Sequence, residues 1–192
     1  MNFSTLLFLG FILVIAIWLY LTYASVIKRK NKVKEAFSSI NVQLKKRYDL
    51  IPNILTIANK FMEHERSLME DLTKLRTEVL SVPDNFDNIG KKLDLDNQIK
   101  DKMQKLLVSV ENYPQLKSDQ TMVTAMQTYN EVEEHIAAAR RFFNSAVNDL
   151  NNAVEIFPSS LFAQKLGIST QEFFQVKEEE TKPISANDFF NK

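Results

Sequence analysis

Two histidines, His64 and His135, are the side chains best suited to metal binding or general-base chemistry near neutral pH. A carboxylate-bridged metal site in a helical bundle needs Glu-x-x-His pairs on facing helices. Here Phe61 and Val132 stand three residues before the two histidines. The H-E-x-x-H pattern of zinc proteases fails as well, because Leu68 occupies the place of its second histidine. Both imidazoles flank apolar stripes, where a half-buried or capping role is expected. Cysteine is absent, which excludes thiolate metal sites, iron–sulfur clusters, disulfides and cysteine nucleophiles. Glycine occurs only at Gly10, Gly90 and Gly167, too far apart to build a phosphate-cradling loop. The reading is of a non-enzyme with no catalytic residue, no metal and no cofactor.

The arginines and carboxylates offer more. Arg47 and Asp49 flank Tyr48, while Arg140 falls on an apolar rhythm between Ile136 and Phe143, with Arg141 beside it and Asn144 one turn later. A charge on a core-facing position is costly unless paired, so Arg140 needs a partner, expected among Asp49, Glu65 and Glu133. Arg47, Asp49, Glu65, Glu133, Arg140, Arg141 and Asn144 form a candidate polar layer. It reads either as a device that fixes helix register or as a docking surface for a partner protein. Lys45, Lys46 and Arg47 lack interleaved aromatic platforms and read as a solvated face, not a nucleic-acid site. Among the paired aromatics, Phe143 belongs to the core by period and Phe173-Phe174 closes one end. Phe189-Phe190 either docks as a peptide or folds back.

Positioning these groups falls to long helices. The first 27 residues carry no charge, and residues 3–27 are a nearly unbroken apolar run. About 20 helical residues cross a hydrocarbon core of roughly 30 Å, so residues 5–27 are expected to span a membrane. A cleaved signal peptide is disfavoured by the missing basic leader, the length of the run and the lack of an A-x-A site. Trp18, Tyr20 and Tyr23 fit an interfacial belt. Lys28, Arg29, Lys30, Lys32 and Lys34 follow at once, against no cation in residues 1–4. That bias puts a short tail, residues 1–4, outside and the body in the cytoplasm, and the same cluster suits anionic lipid.

Beyond the span, Val33, Phe37, Ile40, Leu44, Tyr48, Ile51, Leu55, Ala58 and Met62 step by threes and fours, and the stripe resumes at Met69, Leu72, Leu75 and Val79. Pro52 lies inside it and predicts a kink in one continuous helix, or a break near Asp49. A helix over residues 28–81 would run about 80 Å against a return helix of about 30 Å, so either the first helix overhangs or it breaks near Pro52 and supplies two bundle members. Residues 81–85 and Gly90 read as loop, residues 93–111 as a helix, and the stripe from Met122 through Val154 to Phe157 as another, ended by Pro158. Ser159 and Ser160 cap a short helix closed by Gly167 at C′. Ser169 and Thr170 open a turn, and residues 177–192 form an acidic, poorly ordered tail. The expected fold is all-α: a transmembrane helix, then an antiparallel four-helix bundle over residues 28–176.

The segment VKEAFSSINVQLKKRYDLIPNI at residues 33–54, HER at 64–66, and EEHIAAARRFFNSAVNDLNNAVEIFPSSLFAQKLG at 133–167 resemble the LemA family. The acidic residues 178–180 with a terminal phenylalanine segment also fit. Phe37 departs from the family, where tryptophan is expected, and residues 82–102 carry no family motif. The resemblance implies a bacterial-type inner-membrane protein without established enzyme activity, its members discussed beside membrane-bound proteases. The function expected is a single-pass scaffold or adaptor that presents a cytoplasmic bundle to a membrane protease, another membrane protein or its own copies. A ligand-binding or sensory bundle is the alternative.

Charge sharpens the reading. Lys+Arg and Asp+Glu number 24 each, for a net charge of zero. Residues 28–47 nevertheless hold eight basic side chains against Glu35 alone, so the chain is basic where it leaves the apolar run and acidic beyond.

Overall fold

Most of the three-four apolar spacing becomes helix in the computed structural model, which describes residues 3–85 and 88–174. Among the described residues there are six helices and no strand: α1 (Phe3–Ala58), α2 (Arg66–Ser81), α3 (Ile89–Val110), α4 (Pro114–Lys117), α5 (Gln120–Glu155) and α6 (Ser159–Lys165). The expectations for residues 177–192, with Phe189 and Phe190, lie outside the described residues. The chain divides into two compact units, residues 1–34 with 142–192 and residues 35–141.

In the unit of residues 35–141 the core follows a three-four heptad rhythm on α1: Phe37, Ile40, Leu44, Ile51, Ile54 and Ala58 are buried. The register differs slightly from expectation, since Leu55 is half-buried and Ile54 takes its place. The helix passes through Pro52 and stops at Ala58, so one stripe supplies two helices, α1 and α2. Met62 hides that break from the pattern, because it sits in the connecting turn and is still fully buried. Gly90, expected in a loop, lies inside α3.

Pro52 is tolerated for a specific reason. A proline lacks an N–H, so the carbonyl four residues earlier, that of Tyr48, loses its helical donor. Arg76 of α2 supplies the replacement: its Nε donates to the Tyr48 carbonyl at 2.7 Å, and its Nη2 lies 3.9 Å from Asp49 Oδ1. The proline thereby becomes a docking point for α2. At the other end of this unit Asp119 caps α5, its Oδ1 accepting from the amides of Thr121 and Met122 at 2.9 and 3.0 Å.

The unit of residues 1–34 and 142–192 holds the apolar stretch of α1, which is long and apolar enough to cross a membrane and is not buried by the protein. The C-terminus of α6 is closed as expected. Gly167 adopts φ +62°, and the amides of Gly167 and Ile168 bond back to the carbonyls of Gln164 and Ala163. Residues 169–174 form no turn. They are held along α5 by two asparagines one heptad apart: Asn144 exchanges two hydrogen bonds with the backbone of Phe174, and Asn151 does the same with Gln171. Phe174 is buried against Phe143, ring centroids 4.5 Å apart.

The link between Pro52 and Arg76 is testable as a thermodynamic cycle. Arg76→Ala should cost about 1–2 kcal/mol in urea unfolding of the full chain in detergent micelles, because it strands a carbonyl. Restoring the helical donor with Pro52→Ala should remove most of that cost. Equal costs in both backgrounds would refute the pairing.

Candidate functional site

The polar residues of the 35–141 unit converge on Asp96, which is fully buried. Heptad position alone explains how it gets there. Lys92, Asp96, Ile99, Met103, Leu106 and Val110 step four-three-four-three-four along the buried face of α3, so Asp96 occupies a core rung. The corresponding rung of α1, between Leu44 and Ile51, is Arg47, whose side chain is 1% exposed.

Arg47 Nη1 donates to Asp96 Oδ1 at 2.7 Å, and Arg140 of α5 donates through Nη2 to Asp96 Oδ2 at 3.2 Å. The Tyr48 hydroxyl donates to the first of these oxygens at 3.1 Å. Arg47 Nη2 pairs in turn with Glu133 Oε1 of α5, and its guanidinium carbon stands 5.9 Å from the centre of the Tyr129 ring. Two cations thus meet two carboxylates across three helices. Around them Arg76 ties Tyr48 to α2, Lys102 of α3 pairs with Asp71 of α2 at 2.8 Å, and Lys92 pairs with Asp84.

Electrostatics follow from burial. Desolvation works against the Arg47 charge, but Asp96 first, then Tyr129 and Glu133, outweigh it and hold the guanidinium above its ordinary value. Desolvation is also the leading cause that pushes the Tyr48 hydroxyl far above the usual tyrosine range, with Asp96 adding to it and the arginines opposing. Burial raises Tyr129 in the same way, Arg47 opposing and Glu133 adding. Both phenols stay protonated throughout the physiological range, and that of Tyr48 donates to Asp96.

Of the sequence candidates, the structure brings Arg47, Glu133 and Arg140 together and leaves four elsewhere. Asp49 is exposed, near Lys45 at 3.7 Å and Arg76. Glu65 accepts from the Tyr113 hydroxyl at 2.7 Å, and Arg141 is exposed. Asn144 is a backbone clamp for Phe174. Asp96 went unrecognised because the segment around it carries no distinctive motif; the spacing Lys92-Asp96-Ile99-Met103 was the available signal. His64 and His135 are both exposed rather than half-buried. In the unit of residues 1–34 and 142–192, the basic cluster is split in use. Arg29 donates to the Asp149 carbonyl at 2.9 Å, and Lys32 pairs with the Asp149 carboxylate at 3.0 Å and lies 5.9 Å from the Phe142 ring centre. Lys28 and Lys34 are exposed, and Lys30 is half-buried.

Comparison with known proteins gives concordant matches. The model of the LemA family matches residues 36–187, a region that contains Arg47, Asp96, Glu133 and Arg140. Protein LemA of Metamycoplasma hominis is 23% identical over 187 residues, covering 95% of this chain and 84% of that protein.

Two outcomes are expected of the layer. Asp96→Ala leaves two facing guanidiniums without their shared anion and should destabilise the full chain by about 3–5 kcal/mol in urea unfolding. Adding Arg47→Met should recover part of that loss, and a double variant as unstable as the sum of its singles would refute the coupling. In alkaline titration followed at the phenolate absorbance, Tyr48 and Tyr129 should ionise only together with unfolding. Their folded pKa lies above the unfolded value, so the stability they contribute is whole below about pH 10 and declines above it. Reversible ionisation of all five tyrosines before the loss of helix would overturn this.

Proposed function

Because the chain belongs to the LemA family, we propose that it is a single-pass, membrane-anchored helical scaffold or adaptor. Its body would be a cytoplasmic antiparallel four-helix bundle that presents helical surface to a membrane protein, a membrane protease among the candidates, or to further copies of itself. The observation that carries this reading is α1 itself. One helix bears both an apolar, unburied stretch sized for a bilayer and the buried rungs, Arg47 and Tyr48, around which a folded unit is organised. A body that shares its first helix with the anchor is tethered to the membrane, where an adaptor acts.

The cations at residues 28–34 favour a cytoplasmic body and an external N-terminus. Fixed partners for every charge in the central layer favour a structural role for it over a catalytic one. The docking surface then falls to exposed positions of α5 such as Glu134 and Arg141.

A second reading, ligand sensing, draws on one feature. An open groove of about 600 Å³ between the end of α1 and α2 is lined by Thr56, Asn59, Arg66, Glu70, Thr73 and Lys74 among others. Its lining mixes these polar groups with the apolar Leu55 and Met69, as small-ligand sites do.

The readings separate experimentally. A topology reporter fused after Lys192 should be active only as a cytoplasmic fusion in a bacterial inner membrane. Photo-crosslinkers at Glu134 and Arg141 should join the chain in intact membranes to a discrete membrane protein or to a second copy. An externally active reporter would reverse the topology. Absence of crosslinks, together with a melting temperature raised by a small polar metabolite and insensitive to it in Arg66→Ala, would favour the groove.

A further inference from the structure

The apolar rhythm of α5 predicts a core position for Phe157, yet the residue is 72% exposed, with Ile156 at 58% and Leu161 at 55% beside it. The reason is local. α5 ends at Glu155, so the last rung of the stripe falls on the corner into α6 instead of on a helix. The underside of that corner is well anchored: Ala163 is fully buried and Ile168 nearly so. Three large apolar side chains are therefore displayed to the outside by a firmly held segment.

We propose that this corner is a second membrane contact, seated in the lipid interface beside the span. The proposal rests on the reading of residues 5–27 as a membrane anchor. Two contacts within this unit set the level of the corner along α1. The first is the Phe162 ring of α6, which packs edge-on against Tyr23, centroids 6.4 Å apart. Tyr23 lies five residues, or about 7.5 Å, to the membrane side of Lys28, the first charged residue of the chain. The second is the pairing of Lys32 with Asp149. Phe162 and Asp149 run down the chain as Tyr23 and Lys32 run up it, so these segments lie antiparallel. From Asp149 to Ile156 is seven residues, about 10 Å towards the membrane, which brings Ile156 level with Ser25 inside the uncharged run.

The chemistry matches that depth. An interfacial segment sinks its apolar side chains roughly 5–10 Å into the boundary between headgroups and acyl chains while polar neighbours stay wet. Ile156, Phe157 and Leu161 supply the apolar face. Ser159, Ser160, Gln164 and Lys165 surround it, and Glu155 stands at its rim. Lipid is the occupant because the patch stands at the end of the uncharged run of α1, next to residues 3–21, all of which are exposed.

The chain has no cysteine, so single labels are clean. Leu13→Cys, Ser145→Cys, Phe157→Cys and Leu161→Cys, each in the full chain, are labelled with an environment-sensitive fluorophore. They are reconstituted in phosphatidylcholine–phosphatidylglycerol vesicles with quenchers placed high or deep in the acyl chains. Circular dichroism checks that each variant keeps its helix. The expected result is blue-shifted emission at 157 and 161, quenched more by the shallow quencher than by the deep one. Position 13 should be quenched most by the deep one, and 145 should remain water-like and unquenched. If 157 and 161 are water-like while 13 is quenched, the corner does not enter lipid and the anchor stands. Blue-shifted but unquenched emission at both would mean that protein covers the patch, which also overturns the proposal. A water-like label at 13 would bring down the anchor, and the corner with it.

Discussion

A fully buried carboxylate organises the larger unit. Taking a carboxylate out of water costs several kcal/mol even after relaxation, and two guanidiniums and a phenol replace the hydration that Asp96 loses. Every one of those donors comes from another helix: Arg47 and Tyr48 from α1, Arg140 from α5. Sliding α3 by a single turn, about 5.4 Å, would strand the carboxylate, leave Arg140 without it and leave Arg47 with Glu133 alone. Hydrophobic rungs such as Leu44, Ile99 or Ile136 would tolerate that slide far better, since one aliphatic contact resembles the next. The charged layer is thus the element that selects one register among several that the apolar stripes would permit.

Tyr48 extends this control to the fourth helix. Its hydroxyl binds Asp96 on α3, while its carbonyl, released by Pro52, is taken by Arg76 on α2. A proline inside a helix would ordinarily be a defect of about 3 kcal/mol. Here the acceptor it exposes is the one to which α2 attaches. The adjacent placement of Arg47, Tyr48 and Pro52 in one stretch of α1 then has a single physical account: side chain and backbone of the same two turns hold three neighbouring helices at one level.

Much of this was legible in the sequence, and the failures have definite causes. The all-helical class, the inward-facing Arg140 with its need of a carboxylate, and the Gly167 cap follow from spacing and residue type, but the partner of Arg140 is Asp96, while Glu133 pairs with Arg47. The connection between α1 and α2 did not, because Met62 keeps the apolar beat while sitting in a turn. Pro52 drew attention to the wrong place, since only the tertiary partner Arg76 shows why the helix survives it. Asp96 was missed for a related reason. A carboxylate among Lys92, Asp94 and Lys100 reads as surface until its heptad position is counted against Ile99 and Met103. Phe157 shows the reverse error, an apolar rhythm that outlasts its helix by two residues.

The basic run after the apolar stretch illustrates how one sequence feature divides into separate physical roles. A topology signal depends on how many cations lie near the end of a span and is indifferent to the direction in which they point. Helical geometry is not indifferent: at 3.6 residues per turn, Arg29 and Lys32 share a face, and that face meets Asp149. Lys28 and Lys34 point away and remain exposed. Using two of the five cations to hold α5 therefore leaves the charge count, and with it the topology signal, intact. The same pairing fixes how far α5 descends along α1 before it ends, and so the level at which Ile156 and Phe157 leave the helix. A cluster that counts as one unit in the sequence is thus divided between two cations that hold the end of α5 and two, Lys28 and Lys34, that stay exposed.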